Sequence, residues 1–220
     1  MSTQSERPRV LYFYDALCGW CYGFRPVIEK LAENYSDQVY FRVVAGGMVQ
    51  GDAVGPIGEV ADYIPESYPR VEATTGVKFG EAFLQNVMEP GTAIFSSEPS
   101  VRALVTFKNY NTKDALAYAG RMQEAIYRDG MEPTDWKGYA KLAGEFGLPV
   151  GAFEQRMKSD KVGEEAAEEV SIAARVGVQS YPVVLLNYGD NWALLAKGYV
   201  PYEKLEAALK AGLEEVLKDA

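Results

Sequence analysis

The two cysteines of the chain stand together in the segment Cys18-Gly19-Trp20-Cys21, where a pair of thiols could exchange disulfides. If a helix carries this segment, three residues of rise separate the two α-carbons by about 5–5.5 Å, within the range that a disulfide requires. Closing so short a loop stabilises a fold by only ~2 kcal/mol in the chain-entropy picture, so a structural bridge gains little. At the amino end of a helix, free N–H groups favour a thiolate on Cys18. The spacing therefore predicts that Cys18 attacks disulfides and that Cys21 resolves the mixed disulfide.

Half of a zinc site and a pair of inert core cysteines are the alternatives to this redox pair. The 220 residues include no histidine and no third cysteine, so a zinc site would need carboxylates or a second chain to supply its other ligands. Core cysteines would be expected within an apolar periodicity, whereas Gly19 and the start of a helix should leave Cys18 accessible. We therefore expect a reactive dithiol and no metal.

The absence of histidine also excludes several kinds of enzyme site. A Ser-His-Asp triad, a Cys-His nucleophile pair and a His-ligated haem all need an imidazole. The formal charge of −9 and the lack of any run of four basic residues argue against a nucleic-acid partner. The amino terminus is polar, and no apolar stretch approaches a secretory leader or the roughly 20 residues of a membrane span. We expect a cytoplasmic protein with no membrane partner.

The residues around the dithiol predict a β-α-β unit. Residues 9–15 are almost entirely apolar or aromatic, which is typical of a strand buried on both faces of a sheet. The apolar spacing of residues 27–35 predicts an amphipathic helix after the cysteines, and residues 39–45 predict a second strand. The crossover favours a parallel pair of strands, with the dithiol where the first strand meets the helix.

The middle of the chain, residues 51–159, carries helical signals and no convincing strand. Pro99 and Pro133 stand where the first turn of a helix tolerates proline. The predicted helices cover residues 56–67, 78–88, 99–110, 112–128, 133–147 and 150–159. We therefore expect an all-helical insertion, residues 51–159, that interrupts a domain formed by residues 1–50 and 160–220.

The remaining residues predict a helix, a β-hairpin and a final helix. A helix over residues 160–175 would turn one set of side chains inward, namely Val162, Ala166, Val170, Ala173 and Val176. Its opposite, acidic face is expected in solvent and comprises Glu164, Glu165, Glu168 and Glu169. Strands over residues 182–187 and 192–196 would turn through residues 189–191. The apolar side of the final helix is marked by Leu205, Leu209, Leu213 and Leu217.

Two segments, YDALCGWCYGF at residues 14–24 and VQSYPVV at residues 178–184, are the most specific of the chain. With the order of elements, they resemble the DsbA-like branch of the thioredoxin superfamily, including cytoplasmic members identified as protein-disulfide isomerases and FrnE-type proteins. The resemblance covers essentially the whole chain. It implies an α/β, thioredoxin-like fold with a large all-helical insertion. It also implies that Tyr181 and Pro182 form a cis-proline loop beside the dithiol, which presents a backbone edge to the substrate.

Six further residues are expected to bind substrate or tune the dithiol: Gly19, Trp20, Tyr181, Pro182, Asp15 and Met48. Trp20 is expected to be an exposed recognition aromatic, and the resemblance implies that Tyr181 tunes specificity and redox potential. Asp15 either accepts a proton near the dithiol or caps the start of the helix. Met48 and residues 96–102 are expected to line a groove between the core and the insertion.

The oxidising periplasmic members of the family usually have a histidine directly before the second cysteine, where this chain has Trp20. Without that cation the thiolate of Cys18 should be less stabilised, and the disulfide less oxidising. We therefore predict an oxidoreductase that works as a reductase or isomerase on protein or peptide thiols and disulfides, together with a cellular thiol reductant. No resident cofactor is expected, glutathione is the candidate co-substrate, and the oligomeric state stays open.

Two alternative functions follow from the same features. Kappa-class glutathione transferases and hydroxychromene carboxylate isomerases resemble the same fold and insertion, although they generally carry serine at the position of Cys18. A peptide-binding, chaperone-like module would use the apolar groove, and the dithiol would be incidental to it. Replacing Cys18 with serine separates the three functions.

Overall fold

The structure, a computed structural model, describes residues 7–218, without the side chains of the last two. Four strands form the central sheet: β1 (Arg9–Tyr14), β2 (Tyr40–Ala45), β5 (Val183–Tyr188) and β6 (Asn191–Lys197). Their order is β2-β1-β5-β6; β1 and β2 are parallel, and the other neighbours are antiparallel. Each strand agrees with its predicted range to within one residue at either end, and the parallel pair is confirmed.

The inner strand β1 is buried on both faces, as its apolar run predicts. Because side chains alternate along a strand, Val10, Tyr12 and Tyr14 join the main hydrophobic core. Leu11 and Phe13 point to the other face and pack in a second, smaller cluster with Ala173 and other residues. The sheet is therefore covered by helices on both sides, and the end of β1 is enclosed.

Three helices from outside the middle of the chain cover the sheet. They are α1 (Gly19–Tyr35), α9 (Asp160–Arg175) and α10 (Tyr202–Lys218). Helices α1 and α10 pack against each other, and α9 packs against β2. Leu205 and Leu209 of α10 are fully buried and Leu213 is half-buried, as predicted, whereas the side chain of Leu217 lies outside the described residues. No helix among residues 7–218 is long and apolar enough to cross a membrane.

Helix α9 has its predicted bounds, but two of its side chains do not lie where the pattern placed them. Val176, expected inward, follows the end of the helix and is 37% exposed. Glu169, expected in solvent, is only 7% exposed. Its carboxylate pairs with Lys108 and accepts a hydrogen bond from the amide of Ala45 at 3.2 Å. The prediction of an acidic face in solvent is therefore wrong at Glu169, because a part-buried lysine on another helix compensates its charge.

The middle of the chain is mainly helical. Its helices are α2 (Ile57–Val60), α3 (Ile64–Thr75), α4 (Glu81–Phe83), α5 (Glu98–Tyr110), α6 (Ala115–Tyr127), α7 (Trp136–Glu145) and α8 (Val150–Met157), with a π-helical turn at Leu84–Met88. The expectation of no strand here is wrong at one point, since β3 (Gly55–Pro56) pairs with β4 (Ile94–Phe95). Helix α5 packs on α9, and α6 packs on α1 and β2. The division into an insertion and a discontinuous domain stays a prediction.

Candidate active site

Cys18 lies where the chain leaves β1 and enters α1. It is the last residue before the helix, with extended backbone angles, and its amide donates to the Asp15 carbonyl at 3.1 Å. Cys18 therefore precedes the N–H groups of the first helical turn, which lack partners within the helix, but its side chain makes no capping hydrogen bond to them. The expectation that Cys18 is accessible is wrong in degree: the residue is 6% exposed, and it lines a pocket.

Cys21, one helical turn further, is completely buried, and both cysteines are free thiols. Burial raises the pKa of Cys21 well above its ordinary value. The second cause is a hydrogen bond to Cys18, and the third is the charge of that sulfur, which opposes a second ionisation. The two thiols therefore lie in different environments: Cys18 lines the pocket, and Cys21 is buried behind it and keeps its proton.

The loop after α9 closes over Cys18. The Tyr181–Pro182 peptide bond is cis, as the resemblance implies. The Cys18 thiol donates to the Tyr181 carbonyl oxygen at 3.5 Å, and the Tyr181 hydroxyl donates to the Gly46 carbonyl at 2.9 Å. A Cβ atom on Gly46 would come within 2.0 Å of the tyrosine ring, so a glycine is needed where the ring crosses the loop after β2. This contact fixes Tyr181 beside the sulfur.

Asp15 is buried and its carboxylate joins three segments of the chain. One oxygen accepts from the Leu17 amide at 2.9 Å and the Ser97 hydroxyl at 3.0 Å, and the other accepts from the Met48 amide at 2.7 Å. Burial raises the pKa of Asp15, and the hydrogen bonds oppose that shift. These contacts describe a residue that holds the loops around the dithiol. Its role in proton transfer stays a prediction.

The pocket above Cys18 has a volume of about 410 Å³ and is mainly aromatic and apolar. Helix α3 and the residues before it form one wall with Tyr63, Ile64 and Tyr68, and Phe79 and Tyr127 stand behind them. Ser67, Gln179 and Ser180 supply neutral polar groups. Among the described residues that line the pocket, none carries a charge. The site can therefore hold an apolar group next to a disulfide without pairing it with an ion.

Comparison with known proteins assigns the chain to a family. A family model described as the DSBA-like thioredoxin domain matches residues 9–210. The chain belongs to this family. No curated protein sequence matches it.

Solved structures of DSBA-like and related proteins share this fold. A protein from Nitrosomonas europaea that is proposed to be a protein disulfide isomerase is 25% identical, with a TM-score of 0.82 over 96% of this chain and 99% of that one. The cytosolic disulfide reductase DsbM from Pseudomonas aeruginosa is 22% identical, with a TM-score of 0.77 over 94% and 99%; it is also known with GSH. A 2-hydroxychromene-2-carboxylate isomerase is 18% identical, with a TM-score of 0.62 over 96% and 97%.

The DSBA-like site brings most of the predicted residues together. Lining the pocket are Cys18, Gly19, Trp20, Met48 and Tyr181. Cys21, Asp15 and Pro182 lie in the layer below and do not line it. Trp20 is half-buried against the core and not fully exposed as expected, whereas Met48 is 36% exposed. Their roles in binding and tuning stay predictions.

Several residues of this DSBA-like site were not predicted from the sequence. Tyr63, Phe79 and Tyr127 come from the middle of the chain and build the pocket wall. The sequence marks them only as aromatic residues, and nothing local shows which helix packs over the dithiol. Ser97 lies in the 96–102 segment that was expected to line the groove; it is fully buried and binds Asp15 instead. Among residues 7–218 no cluster of three potential metal ligands occurs.

Proposed function

We propose that this DSBA-like chain is a thiol-disulfide oxidoreductase in which Cys18 attacks and Cys21 resolves. The observation that carries the proposal is the asymmetry of the dithiol: Cys18 meets an apolar pocket and the Tyr181 carbonyl, and Cys21 is buried one turn behind it. A disulfide lying along the Tyr181 loop would present one sulfur to Cys18. Backbone carbonyls beside a bound peptide give a register without demanding a particular side chain.

The proposed exchange has two steps. The Cys18 thiolate attacks one sulfur of a substrate disulfide, and the other substrate sulfur leaves as a thiolate that takes a proton from water. Cys21 then gives up its proton and attacks the Cys18 sulfur, and the second substrate sulfur leaves and is protonated. The protein ends as a Cys18–Cys21 disulfide, and the substrate has gained two electrons. A cellular thiol reductant restores the dithiol; for isomerisation, a second substrate thiol attacks in place of Cys21.

The surroundings of Cys18 favour the reducing direction. A cation beside the attacking sulfur stabilises the reduced form and makes a disulfide more oxidising. Here Trp20 precedes Cys21, and the described pocket residues carry no charge. The similarity to a disulfide reductase described as cytosolic agrees with work in a reducing compartment, and we propose a cytoplasmic reductase or isomerase.

Trapping of mixed disulfides tests the proposal. The wild-type protein should reduce a disulfide-linked peptide, and Cys18→Ser should abolish the reduction. Cys21→Ser should stop after the first step and accumulate a mixed disulfide at Cys18, which mass spectrometry can locate. If Cys18 forms no mixed disulfide in the Cys21→Ser variant, the enzyme function is wrong. If Cys18→Ser still suppresses aggregation of an unfolded protein, the pocket also has a binding activity of its own.

Glutathione is the second candidate substrate, because a similar structure is known with GSH. The pocket volume of about 410 Å³ falls within the range of small-molecule sites, about 300–1,000 Å³. Its neutral walls leave the charged ends of glutathione to backbone groups and water. We therefore propose glutathione as reductant or co-substrate and peptides as the main substrates. A transferase or isomerase activity that survives Cys18→Ser would reverse this assignment.

A further inference from the structure

Residues 15–18 lead the chain out of β1 and into α1, and two side chains of helix α6 hold their backbone. The Gln123 side chain donates to the Asp15 carbonyl at 3.2 Å, and the Tyr127 hydroxyl donates to the Leu17 carbonyl. Both donors are buried, and they lie one helical turn apart on α6. The proposed exchange gives neither side chain a task, although Leu17 directly precedes Cys18.

The other backbone hydrogen bonds of this segment are made within it or with the start of α1. The Cys18 amide donates to the Asp15 carbonyl at 3.1 Å, and the Leu17 amide donates to the Asp15 carboxylate at 2.9 Å. The Cys18 carbonyl accepts from the Tyr22 amide at 3.0 Å, the first hydrogen bond of the helix. Among residues 7–218, the donors that reach the carbonyls of Asp15 and Leu17 from another element are therefore those of α6.

The ring of Tyr127 also belongs to the pocket above Cys18. The rings of Tyr22, Phe79 and Phe83 pack around it, with centroids 5.2 Å, 5.1 Å and 5.0 Å away. Chiefly through burial, the pKa of Tyr127 is raised well above its ordinary value, so the hydroxyl keeps its proton and can serve as a donor. One side chain therefore touches the pocket with its ring and the chain before Cys18 with its hydroxyl.

We propose that Tyr127 and Gln123 are positioning residues for the attacking step: they hold the carbonyls that precede Cys18, so that its sulfur stays at the pocket. This inference rests on the proposed function, because it concerns the first step of the exchange. In that step the Cys18 thiolate bonds to one substrate sulfur, and the other substrate sulfur leaves as a thiolate that takes a proton from water. Neither positioning residue gains or loses a proton. The attack needs a defined approach to the disulfide, so it slows when the backbone that carries the sulfur can move.

Rapid kinetics with a peptide disulfide test the role in the exchange. The measurements use a Cys21→Ser background, in which the mixed disulfide accumulates. Tyr127→Phe keeps the ring in the pocket wall and removes the hydroxyl that binds Leu17. We therefore expect an unchanged half-saturating peptide concentration and a limiting rate of mixed-disulfide formation about fivefold lower, within the factor that one neutral hydrogen bond supplies. A small alkylating reagent, which needs no fixed approach, should modify Cys18 at nearly the parent rate.

Tyr118→Phe is the matched control. Tyr118 lies on the same helix, is also fully buried and donates to a backbone carbonyl, that of Tyr139, at 2.9 Å. The two phenylalanine variants should therefore lose similar free energies of unfolding in urea, but Tyr118→Phe should leave the limiting rate unchanged. Gln123→Met, which keeps the length of the side chain without its donor, should lower the limiting rate by a smaller factor, since the Asp15 carbonyl keeps the Cys18 amide.

Amide hydrogen exchange tests the contact without any substrate. The Cys18 amide is protected by its hydrogen bond to the Asp15 carbonyl, so its exchange reports local opening of this segment. We expect this amide to exchange at least fivefold faster in Tyr127→Phe than in Tyr118→Phe, because only the former loosens the chain before Cys18.

The outcomes separate this inference from the proposed function. An unchanged limiting rate in Tyr127→Phe, or an equal loss of rate in Tyr127→Phe and Tyr118→Phe, would overturn the inference. An equal slowing of alkylation would also overturn it, since the ionisation of Cys18 would then have changed and not its position. A parent protein that forms no mixed disulfide, while hydrogen exchange at Cys18 still separates the two variants, would overturn the function and keep the contact. If hydrogen exchange does not separate them either, both are wrong.

Discussion

Cys18 and Cys21 are three positions apart, yet they lie in different surroundings. Cys18 is the last residue before α1 and lies beside the Tyr181 carbonyl, whereas Cys21 faces the core. In the proposed exchange, the order of attack follows from this placement, because a bulky disulfide can reach the first sulfur and not the second. Trp20 lies between them, and its replacement tests how the dithiol is tuned.

Trp20→His should make the protein more oxidising. A protonated imidazole next to the dithiol would stabilise the Cys18 thiolate and so the reduced form. We expect the reduction potential to become less negative by about 30 mV or more, the equivalent of ~1.4 kcal/mol for this two-electron couple. Equilibration with glutathione measures the potential, and Trp20→Phe, which adds no cation, should leave it near the wild-type value. A potential unmoved by the histidine would contradict this account of tuning.

Asp15 predicts a pH dependence of stability. Its pKa is raised in the folded protein, chiefly by burial, so the folded state holds the proton more firmly than the unfolded state. Below the pKa of an ordinary carboxyl group, the proton on Asp15 contributes its full stabilisation of the folded state. This stabilisation is lost as the pH rises from that ordinary pKa to the raised pKa of Asp15 in the folded protein. Asp15→Asn removes this contribution, so its urea midpoint should fall less than that of the wild type across the interval. If the urea midpoints of the variant and the wild type change with pH to the same extent, the prediction is wrong.

At the scale of elements, a buried ion pair joins three of them. Glu169 of α9 pairs with Lys108 of α5 and accepts from the Ala45 amide at the end of β2. Burial lowers the pKa of Lys108, and the charge of Glu169 opposes that shift. Glu169 chiefly offsets the cost of removing the charge of Lys108 from water, and Lys108 does the same for Glu169.

Removing one partner should cost more than removing both. Glu169→Gln leaves the part-buried Lys108 without its counter-charge and should reduce the free energy of unfolding by about 3 kcal/mol, the lower end of the range for buried pairs. The Glu169→Leu, Lys108→Met double variant should lose much less. Glu168→Gln, on the exposed side of the same helix, should change stability by less than about 0.5 kcal/mol. Urea unfolding measures all three, and equal costs for residues 168 and 169 would contradict the prediction.

Glu169 also shows which elements the sequence can predict. Strands β1 and β2, the hairpin and α9 could be predicted from local sequence patterns. The clearest cases are β1, which buries an apolar run, and α9, which buries an apolar stripe. The periodicity of α9 places Glu169 among solvated carboxylates, and only the distant Lys108 explains its burial. The pair of two-residue strands was likewise missed, since two residues are too few to show an alternation. Local patterns predict elements, and long-range partners decide the exceptions.

At the scale of the molecule, the candidate site lies between parts of the chain that are far apart in sequence. The thiols and Tyr181 could be predicted because two short segments carry them. The pocket wall could not, because Tyr63 and Phe79 become part of the site only through the packing of the middle helices over α1. Thiol chemistry could therefore be predicted from the Cys18–Cys21 motif, whereas the choice of substrate depends on how those helices pack.

The pocket wall should set the preference between peptide disulfides and glutathione disulfide. Tyr63 is 55% exposed at the rim and offers its ring to an apolar side chain of a bound peptide. Tyr63→Ser removes that contact, so kcat/KM for a peptide disulfide with aromatic neighbours should fall about tenfold, from the loss of roughly 1.5 kcal/mol of apolar burial. Glutathione disulfide, which has no such side chain, should be reduced at nearly the wild-type rate. Tyr110→Ser, on an exposed tyrosine outside the pocket, should affect neither substrate. An equal loss on both substrates in Tyr63→Ser would mean that the wall holds the dithiol in place and does not select the substrate.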